Sequence, residues 1–480
     1  MKLPFRVLSA RTNSHPRLSD GEHYSTGTLA ADTISAEMWP NNKYTNNLPA
    51  ISVVIGNNGT GKSRLLSSIT RAFIDKNDNR KKRDKYYIFD HLNDIIDKST
   101  HITTSGLAED NSNIPQNIIA VSLTSFDKFP LERPNTNELD KFYHYIGMRD
   151  RMNRASVTAL IYKCLEGIIQ NRQSHPELTQ VFNILGFNHY MDVRIKLDVS
   201  QSLETIIFDN EESFDINSND SLNIHRVKRL ISKDRVNIDD VRGALFEYKL
   251  ASDSKSEINI HIDTANNKVD SPISYDRILL LRKIGVVRLL SITITKNDGT
   301  KIDLRAASSG QINMIMSFLA IASFIKERSL ILIEEPETGL HPEWQDQYIE
   351  LLLKIFGRYK NCHFIISSHS PMIISDTAKS NCFIYSLDSK SDIDVNVVGG
   401  ESYDKILAKA FNLVSNSNLY LRQTIIEAVA LLNDNDTIIN KEKIKRFNEL
   451  QKNLSLLVKN MNHQEPARIA ADQIISMVLK

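Results

Sequence analysis

The feature that most constrains this chain is a glycine-rich segment that follows a run of β-branched residues. ISVVI at 51–55 predicts a buried strand, and a helix is predicted from 63 to 74. Glycines let backbone N–H groups approach phosphate oxygens, a lysine reaches the β and γ oxygens, and a serine can ligate Mg²⁺. The sequence therefore predicts a nucleotide phosphate site in the match to GxxxxGK[ST], which consists of Gly56, Asn57, Asn58, Gly59, Thr60, Gly61, Lys62 and Ser63.

A second predicted buried strand, 330–333, ends in the acidic pair Glu334 and Glu335. Ligands of an open parallel sheet bind at the carboxyl ends of its strands. We expect Glu334 to hold Mg²⁺ through water, and Glu335 to orient or deprotonate an attacking water. A solvated strand end is the alternative, but adjacent carboxylates repel each other unless a metal shares their charge.

Two shorter motifs complete the candidate site. Ser308, Ser309, Gly310 and Gln311 precede an apolar helix, so small residues and a helix N-terminus are offered to an anion. His369 follows the predicted strand 363–367, where an imidazole could contact a γ-phosphate. A capped helix and a structural histidine are the alternatives, and we favour function because of the order of the motifs.

These four motifs, in this order, resemble those of ABC ATPases. GNNGTGKS is similar to Walker A, ASSGQ to the signature, ILIEEPETGLHP to Walker B with its D-loop, and SSHSP to the switch-histidine loop. The resemblance implies ATP and Mg²⁺ and a head-to-tail homodimer or higher homo-oligomer. In it Ser308 and Gly310 would contact the γ-phosphate held by Lys62 and Ser63 of the partner subunit, with residues 337–341 along the dimer seam.

EEPETGLHP and SHSP look more like the chromosome-maintenance and defence ATPases, including the overcoming-lysogenization-defect proteins, than like transporters, which place the signature nearer Walker A. The whole chain most resembles the PtuA family, the ATPase subunits of Septu antiphage systems, in length, in the TSFDKF loop after NIIAVSL and in its helical tail. That resemblance implies an ATPase that controls an HNH-type nuclease subunit in trans. The alternative is a RecF-like genome-maintenance ATPase that binds DNA directly.

Three positions depart from the ABC pattern. Glu334 stands where most relatives have Asp, Ala307 replaces the signature Leu, and no Gln follows NIIAVSL, so the Q-loop role falls to Asp127 or to no residue. Trp39 and Tyr44 are the aromatic candidates for contacting adenine.

The predicted fold is α/β, an ABC-type ATPase head with a mostly parallel sheet. We assign 1–137 to the N-terminal half with Walker A, 138–271 to an inserted lobe of mixed helices and strands, 272–400 to the C-terminal half with the other motifs, and 401–480 to a helical tail. An apolar stripe in the tail either docks another protein or packs on its own domain. It consists of Phe447, Leu450, Leu454, Leu457 and Met461.

Composition limits the partners. Lys plus Arg number 59 and Asp plus Glu 58, so contact with DNA must be local. The candidates are 76–85, the arginines at 149, 151 and 154, and the basic residues at 226, 228 and 229, all of which could equally be solvated. Three cysteines without a CxxC pair fit a reducing cytoplasm, and we expect neither an export signal nor membrane insertion. Because roughly 110 residues follow His369 and part of them must complete the ATPase core, we expect no nuclease domain there.

Overall fold

The computed structural model describes residues 4–13, 33–40, 48–77, 94–97, 100–105, 113–124, 126–131, 142–149, 163, 165, 167, 176–199, 237–266, 268–304, 309–375, 377, 381–398, 400–411, 413–414, 417–433, 441–459 and 461–477. The chain divides into two compact units. The first comprises Met1–Gly147 and Ile325–Lys480, and the second Met148–Phe324.

The described strands, in chain order, are β1 (Val7–Asn13), β2 (Thr33–Glu37), β3 (Ala50–Ile55), β4 (Asp94–Asp97), β5 (Thr100–Thr104), β6 (Ile118–Ser122), β7 (Tyr143–Gly147), β8 (Phe187–Leu197), β9 (Glu257–Asp263), β10 (Lys268–Asp270), β11 (Val287–Lys296), β12 (Lys301–Asp303), β13 (Leu330–Glu334), β14 (His363–Ser368), β15 (Cys382–Ser386) and β16 (Ser391–Ile393). The described helices are α1 (Lys62–Asn77), α2 (Pro176–Ile184), α3 (Ile238–Ala251), α4 (Tyr275–Ile284), α5 (Ser309–Phe324), α6 (Pro342–Asp346), α7 (Tyr348–Phe356), α8 (Pro371–Ser375), α9 (Val395–Val398), α10 (Tyr403–Ala410), α11 (Leu419–Asn433), α12 (Lys441–Leu457) and α13 (Pro466–Ser476).

A mostly parallel sheet organises the first unit, as predicted. Its order is β16-β15-β3-β14-β13-β6-β7, and only the β15–β16 pair is antiparallel among these strands. Every residue of β3, β6, β13, β14 and β15 is buried, because continuous apolar runs suit strands covered on both faces. The carboxyl ends of β3, β14 and β13 therefore lie side by side.

A second sheet in this unit, β2-β1-β5-β4, is antiparallel. A buried polar cluster links β1 to the parallel sheet: the Val7 N–H donates to Nδ1 of His363 at 3.0 Å, and Nε2 of His363 lies 2.7 Å from Oγ of Ser52. The guanidinium of Arg6 donates to carbonyls, including that of Cys362. Burial lowers the pKa of Arg6 to about 10 and that of His363 well below its usual value, so this imidazole is neutral.

The tail forms helices α10 to α13, as predicted for the region after 400. Its apolar stripe lies inside a hydrophobic cluster with residues of α11 and α13. All five residues of the stripe are buried, Phe447 and Leu454 completely. The stripe therefore packs on its own domain, and the alternative that it docks another protein is wrong.

The second unit contains the antiparallel sheet β10-β9-β8-β11-β12. A hairpin joins β11 and β12, and Gly299 at its tip has φ +88°. The alternating strands bury one face: in β9 the residues Ile258, Ile260 and Ile262 point inward.

The boundaries of this unit differ from the predicted lobe, 138–271. Residues 143–147 pair as β7 with β6 and so belong to the first unit. β11 pairs along most of its length with β8, and α5 packs on α2, so the second unit extends to Phe324. The basic segments at 78–85, 151, 154, 226, 228 and 229 lie outside the described residues.

Candidate functional site

The glycine-rich motif forms the loop between β3 and α1. Asn57, Asn58 and Gly59 are exposed at its tip, and Thr60 is half-buried. Gly59 and Gly61 have φ of +88° and +100°, values that cost a residue with a Cβ about 1–2 kcal/mol. A Cβ on Gly61 would also clash with a terminal carbon of Ile34. This loop conformation therefore depends on glycine at two of the predicted positions.

Lys62 begins α1 and is 5% exposed. Its Nζ donates to the carbonyl of Gly56 at 2.6 Å and to that of Asn57 at 3.1 Å. Burial lowers the pKa of Lys62, and the negative charges of Glu335 and Glu337 oppose that shift. The ammonium group is thus held inside the loop, beside carboxylates, where it can receive an anion.

The acidic pair lies at the end of β13, beside β14. Glu334 is buried and Glu335 is 27% exposed. Glu335 has φ +46°, and its N–H donates to the carbonyl of Ser367 at 2.9 Å. A non-glycine residue in this region stores strain, which is common at functional sites. The carboxylate of Glu335 is therefore set by an unusual backbone turn, not by a regular strand.

His369 follows β14 and lies close to two carboxylates. Its Nδ1 is 3.7 Å from Oε1 of Glu335 and 3.2 Å from Oε1 of Glu337. Glu337 is 5% exposed, and its Oε1 also accepts the Ser368 hydroxyl at 2.8 Å and the His369 N–H at 2.7 Å. The imidazole, 47% exposed, thus stands beside Glu335 on a loop that Glu337 fixes.

Two residues of this site were not singled out for these roles by sequence reasoning. Glu337 was expected only along a dimer seam. Asp388 follows β15, and its Oδ2 accepts the Asn57 N–H at 2.9 Å, which ties the tip of the glycine-rich loop to the neighbouring strand. The available signal was an acid directly after another buried strand, in FIYSLD.

Asp127 and Trp39, two further candidates, are both buried. Asp127 is buried, with Oδ1 accepting the Phe129 N–H at 3.0 Å and Oδ2 accepting the Tyr145 hydroxyl at 2.6 Å, so its carboxylate stabilises its own loop. Trp39 is 3% exposed and packs edge-on against His363, so it is not a surface for adenine. Tyr44 is outside the described residues.

The signature motif belongs to the second unit. α5 begins at Ser309, and Gly310 lies in its first turn, as the motif predicts for a helix start. Ser308 and the side chains of Ser309 and Gln311 lie outside the described part of the chain.

The donor set for a metal is small. Ser63 is half-buried in the first turn of α1, and Glu334 supplies a buried carboxylate. Among the described residues no group of three or more His, Cys, Asp or Glu side chains could hold a metal alone. Mg²⁺ prefers few protein oxygens and completes its shell with water and phosphate, so the residues present fit that ion.

Comparisons with known proteins place the chain among ATPases. Residues 41–374 match the family described as AAA ATPase domain. The Retron Vc95 probable ATPase of Vibrio cholerae serotype O1 biovar El Tor is 24% identical over 364 residues, 69% of this chain and 68% of that protein. Protein ea59 of Escherichia phage lambda is 22% identical over 393 residues, 80% of this chain but only 57% of ea59.

Among solved structures, the SMC head domain of Thermotoga maritima is 9% identical with a TM-score of 0.31, over 79% of this chain and 94% of that one. No described helix of this chain combines the length and apolar character needed to cross a bilayer.

Proposed function

The chain belongs to the AAA ATPase domain family, and on that premise we propose that it binds and hydrolyses ATP at a site completed by a second copy of itself. The observation that carries the proposal is the cluster of Lys62, Glu335, Glu337 and His369 at the ends of adjacent strands. An ammonium group, a carboxylate and an imidazole there match the three tasks of phosphoryl transfer to water: phosphate binding, water orientation and charge stabilisation.

The residues divide these tasks as follows. Loop residues Gly56 to Gly61 and the Lys62 ammonium bind the β and γ phosphates. Glu335 orients a water or accepts its proton, and His369 contacts the γ-phosphate. Ser63 and Glu334 would hold Mg²⁺, which neutralises phosphate charge when bound.

A triphosphate offers Lys62 stronger acceptors than the carbonyls that it now contacts. ATP binding therefore moves Nζ away from Gly56 and Asn57. The signature residues Ser308, Ser309, Gly310 and Gln311 of the second copy would complete the γ-phosphate site, and the 16-residue helix α5 supports this role because its N-terminus attracts anions.

The wider role that we propose is in antiphage defence, in the cytoplasm. Dimer closure on ATP would control an HNH-type nuclease subunit in trans, as in the Septu systems whose ATPase subunit the chain resembles. The 24% identity to a protein named as a retron ATPase supports a defence or accessory ATPase over a transporter motor. A RecF-like ATPase that binds DNA directly is the second candidate.

One experiment separates the two candidates. The protein is purified with its genomic neighbour, with and without ATP and Mg²⁺, as wild type, as Glu335→Gln and as the exposed control Glu350→Gln. We expect Glu335→Gln to remain dimeric on ATP and to retain a nuclease whose activity follows nucleotide state, whereas the control behaves as wild type.

If the chain instead runs without the neighbour, dimerises on ATP and binds DNA in a salt-sensitive way, the RecF-like function replaces the defence function. If Glu335→Gln hydrolyses ATP at the wild-type rate, the assignment of the catalytic carboxylate is wrong.

A further inference from the structure

A groove in the tail has the composition of a ligand site that the ATPase does not use. We call it the tail groove. It lies between α10, α11 and α12, has a volume of about 450 Å³, and is lined by Lys409, Tyr420, Arg446, Lys452 and Leu456 among others. This volume is in the range of pockets that hold a nucleotide-sized ligand.

The groove has more positive than negative charge. Its lining carries four cationic side chains against the carboxylates of Glu427 and Glu449, and both carboxylates are engaged by Arg446, at 2.7 and 3.7 Å. Lys405 pairs with Glu401 outside the lining. Lys409 and Lys452 form no ion pair with any described residue.

Two ammonium groups without carboxylate partners among the described residues, on two of the helices that line the groove, are therefore available to an anion. Lys409 lies on α10 and is half-buried, so its position is constrained, whereas Lys452 lies exposed on α12. Because the two ammonium groups line the same groove, a ligand with more than one anionic group could contact both.

An aromatic ring lies beside two of the four cations. The ring centre of Tyr420 is 5.5 Å from Nζ of Lys409 and 5.8 Å from Nζ of Lys405. Nδ2 of Asn453 donates to the Tyr420 hydroxyl at 2.8 Å, which fixes the ring's orientation. Leu456, 61% exposed, adds an apolar surface to the same groove.

We propose that the tail groove binds a segment of single-stranded nucleic acid, with phosphates on Lys409 and Lys452 and an unpaired base against Tyr420 and Leu456. Aromatic side chains interleaved with cations bind single strands by stacking and charge, without reading sequence. A duplex is disfavoured because its bases are already stacked on one another and offer no free face to Tyr420 and Leu456. The inference does not depend on the proposed ATPase mechanism.

The test uses the full-length protein and a fluorescently labelled ten-nucleotide thymidine strand, with anisotropy as the readout. We expect binding that weakens about tenfold or more in the double variant Lys409→Gln/Lys452→Gln and in Tyr420→Leu. Loss of two phosphate contacts should also reduce the salt slope by about 1.4. Tyr420→Phe, which keeps the ring, should bind within about threefold of wild type.

Lys445→Gln is the matched control, because Lys445 is an exposed lysine on α12 outside the groove. Competition with free thymidine monophosphate distinguishes the source of the ligand: displacement at similar concentrations identifies a mononucleotide, and displacement only by the oligonucleotide identifies a strand. Equal weakening by Lys445→Gln, absence of binding, equal affinity for the duplex, or preferential binding of an oligoglutamate peptide would each overturn the proposal.

Discussion

The carboxylate of Glu337 lends itself to a quantitative test, because one oxygen atom makes three contacts to the histidine loop. Oε1 accepts the Ser368 hydroxyl and the His369 N–H and lies 3.2 Å from Nδ1 of the same histidine. Glu337→Gln keeps the size of the side chain and one acceptor oxygen but removes the charge. The substitution therefore weakens these contacts without opening a cavity.

The expected loss follows from the number of contacts. A hydrogen bond to a charged group contributes about 1.5–3 kcal/mol and one between neutral groups about 0.5–1.5, so neutralising an acceptor of two bonds costs roughly 2 kcal/mol. Since Glu337 holds the loop that carries His369, kcat for ATP hydrolysis should fall about 10–100-fold. The KM for ATP should change less than kcat, because Glu337 contacts the histidine loop directly and acts on the Lys62 ammonium only through its charge.

The assay is steady-state ATP hydrolysis with Glu343→Gln, an exposed acid of α6, as the control. Ser368→Ala removes one of the two hydrogen bonds and should lie between wild type and Glu337→Gln. A wild-type kcat in Glu337→Gln, or an increase in KM without a decrease in kcat, would refute the reasoning that this carboxylate positions the histidine.

Three further outcomes are expected. Gly61→Ala should weaken ATP binding, measured by calorimetry, at least tenfold. Adding Ile34→Ala should not restore binding, because it removes the clash with Ile34 but leaves the φ of +100° at residue 61. Full restoration of binding would show that only the clash matters. Because burial lowers the pKa of His363 far below 6.5, the unfolded state binds more protons below that pH. The free energy of unfolding should therefore fall as pH drops below about 6.5, by at most ~1.4 kcal/mol per unit, and urea titrations of His363→Gln should show a shallower slope unless the inference is wrong. Asp127→Asn and Tyr145→Phe should each lower the Tm, because each weakens the hydrogen bond between these side chains, and neither should change the Mg²⁺ dependence of ATP hydrolysis. A changed Mg²⁺ dependence in Asp127→Asn would instead support the Q-loop role for Asp127.

The sequence was sufficient to predict the parallel sheet and the local motifs. Continuous apolar runs such as those of β3 and β13 identify strands buried on both faces, and the glycine-rich loop carries its φ requirements within eight contiguous residues. That the strand ends meet at the site follows from the parallel topology alone. These features depend on short segments, so one sequence is enough to locate them.

Features that depend on distant pairings could not be predicted in the same way. The contact of Glu337 with the loop after β14, and that of Asp388 with Asn57, join residues about 30 and 330 positions apart. The limits of the second unit depend on the pairing of β11 with β8, which alternation of residue types does not reveal. The spacing of apolar residues in α12 is compatible both with packing inside the tail and with binding to another protein. The choice between the two follows from the burial of these residues in the folded tail.

The order of strands in the parallel sheet has a consequence for synthesis of the protein. β3 pairs along its whole length with β14, and Ala50 faces His363 roughly 310 residues later. At a translation rate of about 5–20 residues per second, β14 is synthesised on the order of 15–60 s after β3, the strand that leads into the phosphate loop. Pairings of such high sequence separation also form slowly. A nascent chain therefore has no complete nucleotide site until most of it has left the ribosome, and ATP can stabilise only nearly finished molecules.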